Sequence, residues 1–365
     1  YVGFVIINIE VIEIIIDGVF GTHRFLAHIL YPQLYSFLIG SFEILAFLVL
    51  FSCVVFFIRR NIIKIKRFWS KEMTTWPKTD ANLILIFEIF LMTAFIVMNC
   101  SDQILQERGV DHYIIAGSFP ISSFFVPLFD SFSSTNLIII ERFTWWFHIL
   151  GILAFLNYVL ISKHLHIFFA FPSTYYANIE KLGKFDNLKS VTNEVKLMLD
   201  PNADPFAVPQ NQDQKPVSLF GARDATDLNW VQLLNAYSCT ECGRCSSVCP
   251  ANQTGKELSP RKIMMDTRDR IEEIGRLKEN NTNYLLGNYI SKEELWACTT
   301  CNACTDACPI NLDPLSIIVD LRRYLVMEES AAPTELNNMF SNVENNGAPW
   351  QFPAADRLNW IEENK

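Results

Sequence analysis

Two cysteine runs constrain this chain more than anything else in it. The first is Cys239-x-x-Cys242-x-x-Cys245-x-x-x-Cys249-Pro250, and the second is Cys298-x-x-Cys301-x-x-Cys304-x-x-x-Cys308-Pro309. Together they hold eight of the ten cysteines. Three closely spaced thiolates can wrap one compact inorganic centre, and a fourth from a distant segment closes it. Proline then turns the chain away without needing a backbone donor. Disulfides fit poorly, because cysteines this close would make small strained loops. Zinc is the rival metal, since four thiolates suit it as well, although its sites usually read as two separated Cys-x-x-Cys pairs.

The spacing is similar to that of bacterial-type ferredoxins, in which the fourth cysteine of each run serves the other cluster. On that crossed pattern Cys239, Cys242, Cys245 and Cys308 hold one [4Fe-4S] cluster, and Cys298, Cys301, Cys304 and Cys249 hold the other. Such clusters leave no open coordination site, so the chemistry implied is electron relay.

The rest of the chain is uneven. Half its residues are hydrophobic and 29 are phenylalanine, but the excess sits in residues 1–171, whereas 172–365 read as an acidic soluble domain. A net charge of −9 argues against a nucleic-acid partner. Four apolar runs, about 1–20, 35–58, 81–99 and 137–161, each approach the ~20 residues that cross a bilayer. A basic loop carrying Arg59, Arg60, Lys64, Lys66, Arg67 and Lys71 separates the second from the third. The positive-inside rule makes that loop cytoplasmic, and everything after Lys163 with it. The outer loop 100–136 reads as an interfacial or re-entrant piece. Cys53 and Cys100 read as packing residues. The chain opens at Tyr1 already inside an apolar run and without a signal peptide, so the expectation is that the true amino terminus lies upstream.

Several acids stand in the apolar half. Glu10, Glu13 and Asp17 share one helical stripe, while Glu43 and Glu88 fall inside the second and third spans. Charges in lipid cost several kcal/mol and often mark proton or ligand paths; Glu43 and Glu88 are the candidates here for a proton or quinone role. His148 and His166 are 18 residues apart. On one straight helix that is five whole turns, which puts both imidazoles on one face about 27 Å apart, as two stacked b-type haems require.

The segment His148–Pro172, with Ser162-Lys163-His164-Leu165-His166-Ile167-Phe168 at its core, resembles the last haem-bearing helix of the nitrate reductase gamma subunit. It looks still more like the membrane subunit of heterodisulfide reductase. The cysteine half resembles the dicluster iron–sulfur subunits of heterodisulfide reductase and of anaerobic glycerol-3-phosphate dehydrogenase. Together they look like the fused membrane iron–sulfur oxidoreductases of bacteria. The resemblance implies haem b at His148 and His166, with another ligand on an earlier helix that is not seen here. It also implies menaquinone as substrate, a bacterial inner-membrane location, and a cytoplasmic partner that is a cysteine-rich reductase or an electron-transferring flavoprotein. Catalytic relatives carry paired Cys-Cys-Gly motifs; this chain has none, which places the catalytic site on another polypeptide.

The expected fold is all-α: a transmembrane helical domain over 1–171, a linker over 172–226, a dicluster α-helical ferredoxin domain over 227–330 and a C-terminal helical tail over 331–365. Thr226 or Asp227 is expected to cap a helix carrying Trp230, Leu233, Leu234 and Tyr237 into Cys239. Ser259-Pro260, Ser291-x-x-Glu294 and Asp313-Pro314 are further helix starts. Arg244, Arg261, Lys262, Arg268 and Arg270 are candidates for raising cluster potential or docking an acidic partner. Two other readings stand beside the relay: a self-contained membrane dehydrogenase or disulfide reductase, for which no flavin motif is found, and a non-catalytic redox-sensing membrane anchor.

Overall fold

The computed structural model describes residues 2–181, 183–201, 219–278, 282–352 and 354–363. The fold is all-α; among the described residues the strand-type pairing is an isolated bridge between Leu286 and Ile290. The chain divides into two compact units, Tyr1–Leu165 and His166–Lys365, so the division falls slightly before the expected boundary at 171.

The first unit is built on α1 (Val2–Phe20), α2 (Pro32–Asn61), α3 (Trp76–Glu107) and α4 (Ser134–Val159). Pro32 and Pro77 sit in the first turns of α2 and α3, where a missing N–H costs nothing, and Ser133 caps α4 by accepting from Asn136 N. Helices α2, α3 and α4 are long and apolar enough to cross a membrane. Helix α1 is helical as expected but is not among them, because Glu10, Glu13 and Asp17 load its 19 residues with three carboxylates.

The acids of this unit mostly hold the chain in place. Asp17 accepts from Thr22 Oγ1 (2.6 Å) and from the backbone N–H groups of Arg24 (2.9 Å) and Phe25 (3.0 Å), closing the turn after α1. Glu13 accepts from Leu26 N and Tyr35 OH, each at 3.0 Å. Glu43, fully buried on α2, accepts from Ile121 N (2.9 Å), Ser122 N (3.2 Å), Asn99 Nδ2 (3.1 Å) and Ser122 Oγ. It thereby pins the segment around Pro120 against α2. Removing an acceptor from buried donors costs about 1–3 kcal/mol. Glu43→Ala should therefore lower the thermal unfolding midpoint of the detergent-solubilised protein, while Glu43→Gln loses less; equal midpoints for Glu43→Ala and wild type would exclude this anchoring role.

Helix α4 ends earlier than its sequence suggests. No proline or glycine stands between Val159 and His166, yet the helix stops at Val159 and a single 3-10 turn, Lys163–Leu165, follows. Asp80 at the foot of α3 is responsible: it accepts from Tyr158 OH (2.5 Å) and Lys163 N (3.0 Å), while Lys163 Nζ donates to Pro77 O (2.8 Å). A side chain from a neighbouring helix takes the backbone donor and ends the run. His148 and His166 thus lie on different helices, which corrects the straight-helix geometry expected of them.

The second unit contains α5 (His166–Tyr175), α6 (Lys189–Leu199), α7 (Trp230–Ser238), α8 (Pro260–Leu277), α9 (Pro314–Met327) and α10 (Thr334–Asn346). The segment expected as linker therefore holds the end of α5 and all of α6, and its Pro209–Pro216 part lies outside the described residues. Asn229 caps α7, exchanging hydrogen bonds with Gln232 (2.9 and 3.0 Å), while Asp224 and Asp227 close the preceding 3-10 turn. This corrects the expected cap at Thr226 or Asp227. The stripe on α7 meets aromatic rings at α5: Trp230 reaches Tyr176 (4.7 Å) and Tyr237 reaches Phe169 (6.0 Å). Ser259, Ser291 and Asp313 cap their helices as the sequence predicts.

Gly221 marks a close approach. Its φ is +89°, and a Cβ there would lie 2.3 Å from Asp320 O and 2.5 Å from Tyr324 N on α9. Backbone on both sides cannot move aside, so Gly221→Ala should destabilise the second unit by about 2 kcal/mol or more. The measurement is the denaturation midpoint of the cluster absorbance, and an unchanged midpoint would contradict the packing described.

Candidate metal centre

The two cysteine runs fold as copies of one loop. In the first, Glu241 (φ +57°) and Gly243 (φ +74°) adopt left-handed backbone; in the second, Thr300 (φ +55°) and Asn302 (φ +60°) do so at equivalent positions. Three of these four are not glycine. Such residues rarely hold this conformation unless their surroundings impose it. A short helix follows in each run, Arg244–Val248 after Gly243 and Ala303–Asp306 after Asn302. Each helix carries the third cysteine and delivers the fourth.

The cysteines stand around a cavity. Cys239, Cys242 and Cys245 of the first run and Cys304 and Cys308 of the second line a space of about 260 Å³. Cys249 is buried elsewhere, near enough to Cys298 for their negative forms to repel; Cys301 also repels Cys298, and Cys304 repels Cys245. Among the described residues no three His, Cys, Asp or Glu side chains converge as a single-ion site; the thiols surround a volume instead. Cys239, Cys249 and Cys304 are buried and Cys301 is exposed.

Burial pushes the thiols of Cys239, Cys245 and Cys304 up to about 12 each. Thiols in that position stay protonated at neutral pH unless bound metal holds them as thiolates. Thr300 N donates to Cys298 Sγ at 3.4 Å, a contact that stabilises negative sulfur. Arg322 donates to Cys298 O at 2.6 Å and to Leu295 O, clamping the entrance of the second loop.

The basic residues singled out in the sequence divide in their use. Arg268 pairs with Glu241 at 2.9 Å, and Lys262 pairs with Asp266 (2.7 Å) and Glu294 (2.9 Å). Arg270 is 1% exposed and is tied to Asp224 and Glu273. Arg244 is exposed, and both it and buried Arg261 line the cluster cavity. The ionic partners Glu241 and Asp224 were not legible in sequence, since no spacing rule connects residues 27 and 46 positions apart.

Among the histidines, His166 opens α5 and lines the cavity of the first cysteine run. His148 is buried on α4, where its Nδ1 meets Leu91 O at 3.0 Å. It faces a largely apolar cavity of about 200 Å³ that Glu10 and Glu88 also line. Glu88 has no hydrogen-bond partner among the described residues, unlike Glu43. His148 is the one imidazole among the described residues of that cavity. The residues present therefore supply one axial ligand and do not fit a bis-histidine haem.

Comparison with known proteins bears on the same residues. Residues 235–312 match the 4Fe-4S dicluster domain family. The whole chain is 29% identical to a probable iron-sulfur-binding oxidoreductase FadF of Bacillus subtilis, covering 51% of that protein. Over 88% of the chain it is 27% identical to an EtfAB:quinone oxidoreductase of Syntrophomonas wolfei, covering 45% of it. A probable membrane-anchored ferredoxin of Chromohalobacter salexigens is 32% identical over 40% of the chain, covering 24% of it. The chain thus spans about half the length of the first two relatives. No solved structure matches it.

Proposed function

Taking a chain that is related to iron–sulfur oxidoreductases, associates with membranes through apolar helices and carries a 4Fe-4S dicluster domain, we propose that it relays electrons between a cytoplasmic redox partner and the menaquinone pool. The observation that carries this reading is the pair of matched cysteine loops gathered in one unit, in a chain whose other unit is built of bilayer-length helices. Cys239, Cys242, Cys245 and Cys308 would hold one cluster, and Cys298, Cys301, Cys304 and Cys249 the other. Bound clusters supply one-electron carriers with no substrate position. The exposure of Cys301 supports the second loop as the side that meets the partner, an electron-transferring flavoprotein or a cysteine-rich reductase. The basic loop 59–71 supports a cytoplasmic orientation in a bacterial inner membrane.

Reducing a quinone takes two electrons and two protons, and the cavity between α3 and α4 supports the proton side of that reaction. Glu88 offers a carboxyl with apolar surroundings and no competing donor, and His148 is held in one orientation by Leu91 O, leaving Nε2 toward other partners. The quinone oxidoreductase named above makes the substrate class reasonable for this chain. Glu88→Gln should keep the iron content and slow quinone reduction by about 100-fold, the lower end of the range for loss of a positioned proton donor. The test of the whole reading is low-temperature EPR of the dithionite-reduced protein followed by a menaquinone analogue. Two coupled [4Fe-4S] signals that the quinone reoxidises are expected. Clusters that the quinone never reoxidises would reject the relay in favour of an anchor or sensor.

A further inference from the structure

We infer that the first unit carries a binding site for an anionic phospholipid at the end of the bundle where the basic loop lies. Arg59 and Arg60 close the last turn of α2, Arg67 comes from the loop after it, and Lys163 and His164 from the turn after α4; all five line one cavity of about 230 Å³. Among the described residues lining it there is no carboxylate. Asp80, at 3.9 Å from Lys163 Nζ, offsets one charge from outside.

The site is built, not a loose collection of surface cations. The guanidinium carbon of Arg60 lies 4.7 Å from the centre of the Phe68 ring, and that of Arg67 lies 4.9 Å from the same ring. One aromatic side chain thus holds two guanidinium groups beside each other. Trp69 Nε1 donates to Arg60 O at 2.8 Å, fixing the loop to the helix end. Guanidinium groups are suited to a phosphate because their forked donors match its oxygens.

The opposite wall decides between a free phosphate and a lipid. Phe56, Ile84 and Leu85 are apolar and belong to the membrane-length parts of α2 and α3. Trp69 and Trp76, both exposed at this end, stand where indole rings mark the interface of a bilayer. A ligand with a phosphodiester head and an acyl tail matches both walls; inorganic phosphate matches one. Basic pockets between membrane helices are a recurrent means of holding anionic lipid heads.

The test uses the full chain in neutral detergent and native mass spectrometry, with phosphatidylglycerol and phosphatidylcholine as probes. Wild type should retain phosphatidylglycerol in preference to phosphatidylcholine. The double variant Arg60→Gln/Arg67→Gln should weaken phosphatidylglycerol binding about 30-fold, as expected for the loss of two surface-level charges, and leave phosphatidylcholine unchanged. Leu85→Trp, which fills the apolar wall and leaves every cation in place, should also reduce retention, and it serves if the double variant does not fold. Equal retention of the two lipids, or unchanged phosphatidylglycerol binding in both variants, overturns the inference. Displacement of phosphatidylglycerol by millimolar inorganic phosphate overturns the lipid as occupant and leaves an anion site.

Discussion

Replacing Cys308 with alanine is expected to abolish the same EPR signal as replacing Cys239, and replacing Cys249 the same signal as replacing Cys298. On the proposed crossed assignment, in which each run lends its fourth cysteine to the other cluster, each single variant should retain about half the iron and acid-labile sulfide. The loops give this expectation its basis: Cys308 lines the cavity of Cys239, Cys242 and Cys245, as Cys304 also does, while Cys249 lies near Cys298. If Cys308→Ala and Cys298→Ala instead lost the same signal, each run would serve its own cluster and the crossed assignment would be wrong. Zinc in place of iron in the wild-type protein would remove the relay altogether. The thiols of Cys239, Cys245 and Cys304, pushed up to about 12 by burial, also make cluster loss hard to reverse, since emptied sites refill only by ionising buried thiols.

The second large effect is expected at Arg270. Its guanidinium donates to both oxygens of Asp224, at 2.7 and 2.5 Å, to Glu273 at 2.7 Å and to Asn283 O. Asp224 in turn accepts from Leu285 N at 3.0 Å. One buried cation therefore joins α8 to the turn before α7 and to the segment that leads toward the second cysteine run. Burial alone would push the Asp224 carboxyl up, but the hydrogen bonds from Arg270, Ala225 N and Leu285 N outweigh it and hold the group below its ordinary range. Arg270→Met leaves Asp224 charged and buried without its partner, a change that costs about 3–5 kcal/mol. Both clusters should be lost together in that variant, as seen by iron content, because the two loops share one core. Arg270→Lys should recover only part of the loss, since an ammonium cannot make the forked contact. Full cluster retention in Arg270→Met would show that the network is dispensable.

Much of the candidate site was legible because its chemistry is written in local spacing. A Cys-x-x-Cys-x-x-Cys run specifies a wrapping loop whatever surrounds it, and the serine and aspartate caps at Ser259, Ser291 and Asp313 act within three residues of themselves. Apolar length likewise located the helices of the first unit, and only the three acids of α1 separate it from the others. Readings that depended on a distant partner fared differently. The cap of α7 is not among them: Asn229 exchanges bonds with Gln232 three residues on, a capping box as local as the one at Ser291. Glu43 and Glu88 looked alike in sequence, yet Glu43 meets four donors from α3 and from Ile121 and Ser122 while Glu88 faces a cavity.

Periodicity and short-range spacing are enough to say that this chain is helical, that it has a membrane-associated half and a thiolate-rich half, and where its two matched cysteine runs lie. The tertiary structure alone decided that α4 ends at Val159, that His166 lines the first cysteine cavity on a separate helix, and that five basic side chains converge at one end of the bundle. The reason is common to all three. A backbone donor, an imidazole or a guanidinium is placed by whatever group packs against it, and here those groups, Asp80, the cysteine loops and Phe68, come from other elements of the fold.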